Sequence, residues 1–325
     1  MLAFILRRLA QAFFVIAAML VIVFFGVNVV GDPIYMLISP EMDQQQIAET
    51  ARALGLDRPI WEQFLVFLKN AAQGDLGRSF VHGESAIKLI LSRMPATLEL
   101  AFVALVMAIV IGLPLGLYAG LKPESRLSRF IMAVSILGFS LPTFWVGLML
   151  ILTFAVSLGW LPATGRGPTV SIFGIETSLL SVQGWKHVAL PAFNLALLKI
   201  SLVIRLARAG AREAALMDYV KFARAKGLSQ SRIIGVHILK NIMIPIVTVL
   251  GLEFGSLVAF SVVTETIFAW PGMGRLLLEA ITRLDRPVIV AYVMVVVVLF
   301  VTINLLVDLV YSALDPRVRL TEATS

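Results

Sequence analysis

Six long apolar runs alternate with polar stretches along the chain. They are Leu9 to Val30, Thr97 to Leu121, Phe130 to Leu158, Val188 to Ala207, Ile242 to Ala269 and Val288 to Leu314. Each reaches the ~20 residues that a helix needs to cross a bilayer. In hydrocarbon, backbone N–H and C=O groups must be satisfied within a helix or a closed barrel. The runs lack the period-two alternation of barrel strands, so helices are expected. The expected class is an all-α membrane protein with six transmembrane helices.

Arg7 and Arg8 precede the first run much as basic residues precede a secretory signal. The run is too long for a signal h-region, and no small-residue cleavage site follows it. It is read as a retained first helix.

The connections differ in character. Gly31 to Ala96 is long and polar, and Lys122 to Arg129 is short and basic. Gly159 to His187 is rich in Gly and Pro, Arg208 to Asn241 is strongly basic, and Trp270 to Pro287 is mixed. Pro142, Pro191 and Pro245 fall near or within spans and are expected to bend or end them. Gly112, Gly116 and Gly120 recur every four residues, as do Gly251 and Gly255. Such stripes let helices approach closely in lipid, within one bundle or between two chains.

Composition agrees with this pattern. Hydrophobic residues make up 59% of the chain and charged residues 14%, against about 25% charged in soluble domains. There is no Cys, which excludes disulfides and thiolate metal sites. His82, His187 and His237 have no ligand spacing, so no metal or cofactor is expected.

The net charge of +7 sits in basic clusters at span ends, which reads as membrane topology and not as nucleic-acid binding. With the N-terminus inside, the inner segments hold fifteen Lys and Arg and the two short outer loops hold five. Both termini are therefore expected on the cytoplasmic side. The long first loop is left out of that balance because long loops translocate largely regardless of charge.

The basic loop carries the clearest functional signal. Arg212 to Leu228 is rich in helix formers and reaches a natural stop at Gly227. Ser229 can then cap a second helix running toward Asn241. Two short helices meeting at a glycine would form a stiff knob able to dock on a cytoplasmic partner. On residue pattern alone, an ordinary basic loop is the other reading.

The run Asp218-Tyr219-Val220, then Ala223-Arg224-Ala225-Lys226-Gly227-Leu228, then His237, Asn241 and Pro245 resembles a known loop. It is similar to the ATPase-coupling loop of ABC importer permeases of the dipeptide, oligopeptide and nickel group. Further segments resemble that family in the same order along the chain. They are Gly55-Leu56-Asp57-Arg58-Pro59, Gly74-Asp75-Leu76-Gly77, Pro95 to Leu100, Glu265-Thr266, Trp270-Pro271-Gly272-Met273-Gly274 and Asp315 to Arg319.

One departure stands out. The general pattern opens Glu-Ala-Ala where this chain has Lys221, Phe222 and Ala223. The acidic docking contact therefore does not carry over to Lys221. Its role could pass to Asp218 or Glu213, or Lys221 could meet an acidic partner surface.

The resemblance implies a type I importer permease bundle of the inner membrane. It implies helix one in 1–30, a small extracytoplasmic domain in 31–96, a permease core in 97–314 holding the coupling loop 208–241, and a tail in 315–325. It also implies partners: a second homologous permease subunit, two ATP-binding subunits, an extracytoplasmic substrate-binding protein and membrane lipid. The implied cargo is di- or oligopeptides, with nickel, glutathione or another small solute left open.

Ionisable residues in or beside the spans are Glu99, Lys199, Glu253, Glu265 and Asp308. Such groups cost ~2.5–3.5 kcal/mol at mid-helix for Asp, Lys or Arg and usually face a bundle interior or a wet path. Lys199, Glu253 and Glu265 are candidates to line the path, or Lys199 and Glu253 form a structural pair. Glu265 could instead be hydrated at the outer end, and Asp308 with Asn304 reads as a structural hydrogen-bonding group.

No G-x-x-x-x-G-K-[ST] phosphate loop occurs, so the chain is not expected to hydrolyse ATP. H-E-x-x-H and G-x-S-x-G are also absent, and no nucleophile–base pair favours an intramembrane enzyme. A proton-coupled carrier is the remaining rival, although such carriers commonly carry internal repeats and none is evident here.

Overall fold

The computed structural model describes residues 2–30, 43, 45, 46, 49, 52 and 57–314. The expected motif Asp315 to Arg319, with Gly55 and Leu56, lies outside the described residues, as does the side chain of Asp308. The chain divides into two compact units, Met1–Thr97 with Pro271–Val301 and Leu98–Trp270 with Thr302–Ser325.

Helix α1 runs Leu2–Val30 and α2 Ile60–Ala72. Helix α3 runs Ala86–Leu121, α4 Arg126–Ser140 and α5 Thr143–Leu150, the last continuing as a π-helix, Ile151–Ser157. A small antiparallel hairpin follows, β1 Val170–Ile172 with β2 Ile175–Thr177, pairing Val170 with Thr177. Then come α6 Val182–Leu216, α7 Asp218–Ala225 and a short helical turn Gln230–Arg232 that runs straight into a π-helix, Ile233–Ile238. The chain continues with α8 Leu239–Phe260, α9 Val262–Ile267, α10 Met273–Thr282 and α11 Arg286–Leu314.

Among the described residues, three helices are long and apolar enough to cross a membrane unbroken: Ala86–Leu121, Val182–Leu216 and Arg286–Val307. Counting each bent pair as one span gives up to five, and a shorter apolar helical stretch covers Ala10–Gly26. The expected span Phe130 to Leu158 is therefore not one straight helix. It is α4 and the α5 segment, bent by 107°. Pro142 is the cause. It has no N–H to donate back to α4, and it drives Leu141 out of the helical region, to φ −80 and ψ 136. Pro191, by contrast, lies inside a continuous α6.

Span ends also shift. α3 begins eleven residues before the expected Thr97, and α6 extends nine beyond the expected Ala207. Hydropathy marks where lipid contact is wanted, whereas backbone hydrogen bonding carries a helix on into polar sequence.

The glycine stripe explains how α3 and α6 pack. A Cβ on Gly112 would lie 2.8 Å from the Val203 Cβ. On Gly116 and Gly120 it would lie 2.6 Å from the carbonyl oxygens of Ile204 and Arg208. The close approach is thus made within this chain. Gly251 faces the Val307 side chain in the same way.

In the first unit, Val23, Val290 and Met294 form a buried apolar cluster, with Ile16, Leu20, Phe67 and Leu76 packed against it. Asp285 is buried and accepts from the Ser79 hydroxyl at 2.5 Å and the Phe80 amide at 3.1 Å. The Met273 amide donates to Thr97 Oγ1 at 2.8 Å, which brings together two of the segments singled out in the sequence.

Candidate functional site

The basic loop folds as an elbow with two breaks. The sequence predicts one helix from Arg212 to a stop at Gly227, but the chain breaks earlier as well. Met217 is extended, at φ −69 and ψ 148, between α6 and α7. Asp218 then opens α7, where a negative charge suits the positive end of the helix dipole. The Lys221 ammonium donates to Asp218 at 2.9 Å. That hydrogen bond and charge hold the Asp218 carboxyl below its usual range.

α7 ends as the sequence predicts. Gly227 has φ +73. The Leu228 amide donates to the Ala223 carbonyl at 3.3 Å and the Gly227 amide to the Arg224 carbonyl at 2.9 Å. This 6→1 and 5→2 pair is a Schellman cap, which needs a left-handed residue at the glycine position.

The same pairing closes α9 and α10, where Ala269 and Leu284 take the left-handed position at φ 47 and 48. A left-handed non-glycine residue costs roughly 1–2 kcal/mol.

The elbow has an inner and an outer face. Val220 and Ala223 are buried, and α7 packs against the π-helix and α6. Asn241 donates to the Tyr219 hydroxyl at 2.9 Å, tying α7 to the foot of α8. Outward stand Phe222, 62% exposed, with Leu216 and Met217. The Lys226 ammonium sits 4.7 Å over the Phe222 ring. Arg224, Ala225 and Lys226 are exposed, and Leu228 is half-buried. A cavity of about 610 Å³ near the elbow is lined by Arg205, Arg208, Arg212 and Glu213 with Met132 and Leu216. The whole forms a braced, cationic surface with an aromatic tip, suited to docking.

The intramembrane charges separate into two kinds. The Lys199 ammonium on α6 pairs with the Glu253 carboxylate on α8 and donates to Ser256 Oγ at 2.9 Å. Ser256 in turn donates to Glu253 at 2.8 Å. Lys199 and Glu253 are 18% and 29% exposed, so the pair borders open space. Glu265 differs. It is fully buried, accepting from Ser261 Oγ at 2.8 Å, so the hydrated reading of Glu265 does not hold. The Asn304 carboxamide oxygen is buried without a partner among the described residues.

Glu99 has a partner that no local pattern announces. Arg166 Nη2 meets the Glu99 carboxylate at 2.7 Å and also donates to the Glu176 carbonyl at 2.6 Å. The Ser178 hydroxyl and amide donate to the same carboxylate. This buried knot roots the β1–β2 hairpin on α3. A lone Arg in a Gly/Pro-rich loop and a Glu near a span end give no sign of pairing across 67 residues.

Comparison with known proteins bears on the whole chain. The family model "Binding-protein-dependent transport system inner membrane component" matches residues 112–320, and its N-terminal companion model matches residues 1–101. The Di/tripeptide transport system permease protein DppB of Pseudomonas aeruginosa is 40% identical over 98% of this chain and 99% of its own length. The Dipeptide transport system permease protein DppB of Escherichia coli K12 is 36% identical over 98% and 99%. The Glutathione transport system permease protein GsiC of Escherichia coli K12 is also 36% identical, over 98% and 99%. Among solved structures, a chain of the MetNI methionine ABC transporter shares the fold. Its TM-score is 0.54 at 17% identity, over 70% of this chain and 96% of that one.

Proposed function

Because this chain belongs to the binding-protein-dependent transport system inner membrane component family, we propose that it forms the membrane path of an ATP-driven importer of di- and tripeptides. It is a multi-pass permease subunit of the inner membrane and not itself the catalytic ATPase. The observation that carries the mechanism is the elbow. Phe222 and Lys226 are presented outward on a short helix fixed at both ends, by the Schellman cap at Gly227 and by the Tyr219–Asn241 bond.

In this reading Asp218 to Leu228 sits in a cleft of an ATP-binding subunit. Closure of two such subunits on ATP pushes the elbow, and the bundle switches between inward-open and outward-open. A braced helix transmits that push, whereas a floppy loop would absorb it.

Six spans complete the bundle if α1 crosses the membrane and each bent pair counts as one span. Both termini lie in the cytoplasm, residues 31–96 form an extracytoplasmic domain, and a substrate-binding protein delivers the cargo. A second homologous permease supplies the other half of the path, since one small bundle is narrow for a peptide. Lys199 and Glu253 border the path, and Glu265 braces α9 beside it.

Glutathione is the second reading, favoured by the glutathione permease at 36% identity. Uptake by membrane vesicles containing the whole transporter tests both. Labelled dipeptide uptake should stop on ATP depletion and survive collapse of the proton gradient. The opposite dependence would refute the importer, and preference for glutathione over dipeptides would move the cargo assignment.

A further inference from the structure

The helix α2 has a second apolar stripe, open at Trp61 and Leu65 among the described residues and half-buried at Leu68. One side of α2 is fastened to α1. The Phe24 ring lies 5.2 Å from Phe64 and stacks on Phe67 at 5.3 Å, and Phe25 lies 5.5 Å from Phe64. About a quarter-turn away, Trp61, Leu65 and Leu68 recur at helical spacing. Trp61 is 59% and Leu65 57% exposed, with Ile60 exposed beside them. Glu62, Lys69 and Asn70 share the remaining arc with Val66, which is also exposed.

The depth of the fastening point indicates the occupant. α1 ends its apolar run at Val30. Phe24 lies six residues earlier, which at 1.5 Å per residue is about 9 Å below that end. An amphipathic helix lying in a membrane interface buries its apolar face about 5–10 Å into the headgroup–acyl boundary. A helix clamped to a membrane span at that level meets lipid on its free side. Tryptophan is also a residue enriched at this depth.

The polar side fits the same placement. A cavity of about 390 Å³ beside it is lined by Arg52, Arg58 and Asp75 and by the apolar Phe24, Val66 and Phe67. The Arg52 and Arg58 guanidiniums there suit lipid phosphates.

We propose that α2 is an interfacial helix, lying in the leaflet at the C-terminal end of α1 with Trp61, Leu65 and Leu68 inserted among the lipids. The inference rests on α1 being a membrane span, not on the cargo or the ATPase. It would make the segment around α2 a float that fixes the tilt and depth of the first span.

The chain has no native Cys, so single labels can be placed directly. The full chain carrying Leu65→Cys or Lys69→Cys, each with a nitroxide, is reconstituted in vesicles of phosphatidylethanolamine and phosphatidylglycerol. The label at 65 should be open to oxygen and closed to a water-soluble nickel chelate. The label at 69 should be at least several-fold more open to the chelate. Trp61→Cys provides a second apolar site should Leu65→Cys misfold. Equal chelate access at the apolar and polar sites overturns the proposal. So does shielding of the apolar site from both reagents, which would mean that protein covers the stripe.

Discussion

The side-chain amide of Asn241, at the foot of α8, donates to the hydroxyl of Tyr219 on α7 at 2.9 Å across 22 residues of chain. That bond joins the elbow to a helix of the membrane bundle. A hydrogen bond of this kind contributes about 0.5–1.5 kcal/mol, small against the fold but direct in its bearing on stiffness. Tyr219→Phe and Asn241→Ala should insert normally yet lower ATP-dependent uptake several-fold relative to ATP hydrolysis. The double variant should be no worse than either single one. Additive losses would mean that the two residues act separately.

Gly227 separates backbone strain from lost bonding. A Cβ there meets nothing within 4 Å, so Gly227→Ala adds only the left-handed cost of about 1–2 kcal/mol. It should retain most transport, and Gly227→Asn, which tolerates that region better, more still. Gly227→Pro loses the N–H that serves Arg224 and cannot take φ +73. It should insert and abolish transport. Uptake at the native level by the proline variant would remove the elbow from the mechanism.

The Glu99–Arg166 pair is enclosed, with side chains 5% and 10% exposed. Removing one partner of a buried pair strands the other charge and costs about 3–5 kcal/mol. Arg166→Leu and Glu99→Gln should each lower the melting temperature of the purified protein clearly. Glu99→Leu with Arg166→Leu should recover part of the loss, because no unpaired charge remains.

Lys199 and Glu253 offer a swap. If their role is the attraction between α6 and α8, the exchange Lys199→Glu with Glu253→Lys should restore expression and uptake that each single change lowers. If their charges face the moving peptide, the exchange should restore expression but leave the Km for peptide altered. Peptide-uptake kinetics on the three variants distinguish the two roles.

Much of this protein was legible from its residues alone. Long apolar runs demanded helices, because hydrocarbon offers the backbone no other partner. Pro142 announced a break, as Pro191 did without one following, and Gly227 announced a helix stop. The coupling-loop pattern from Asp218 to Leu228 pointed to the family. These are local properties, decided by a residue and its near neighbours.

What only the tertiary structure decided is pairing over distance. It put Arg166 on Glu99 and Asn241 on Tyr219 and enclosed Glu265, and it brought together Lys199 and Glu253, a pair the residues alone offered as one of two readings. It also placed the second break at Met217, which no Gly or Pro announces. A charge in a sequence shows that a partner or water is needed, but not which partner, because that depends on which helix faces lie together. The glycine stripe on α3 allowed close packing, and only the fold selected α6 to fill it.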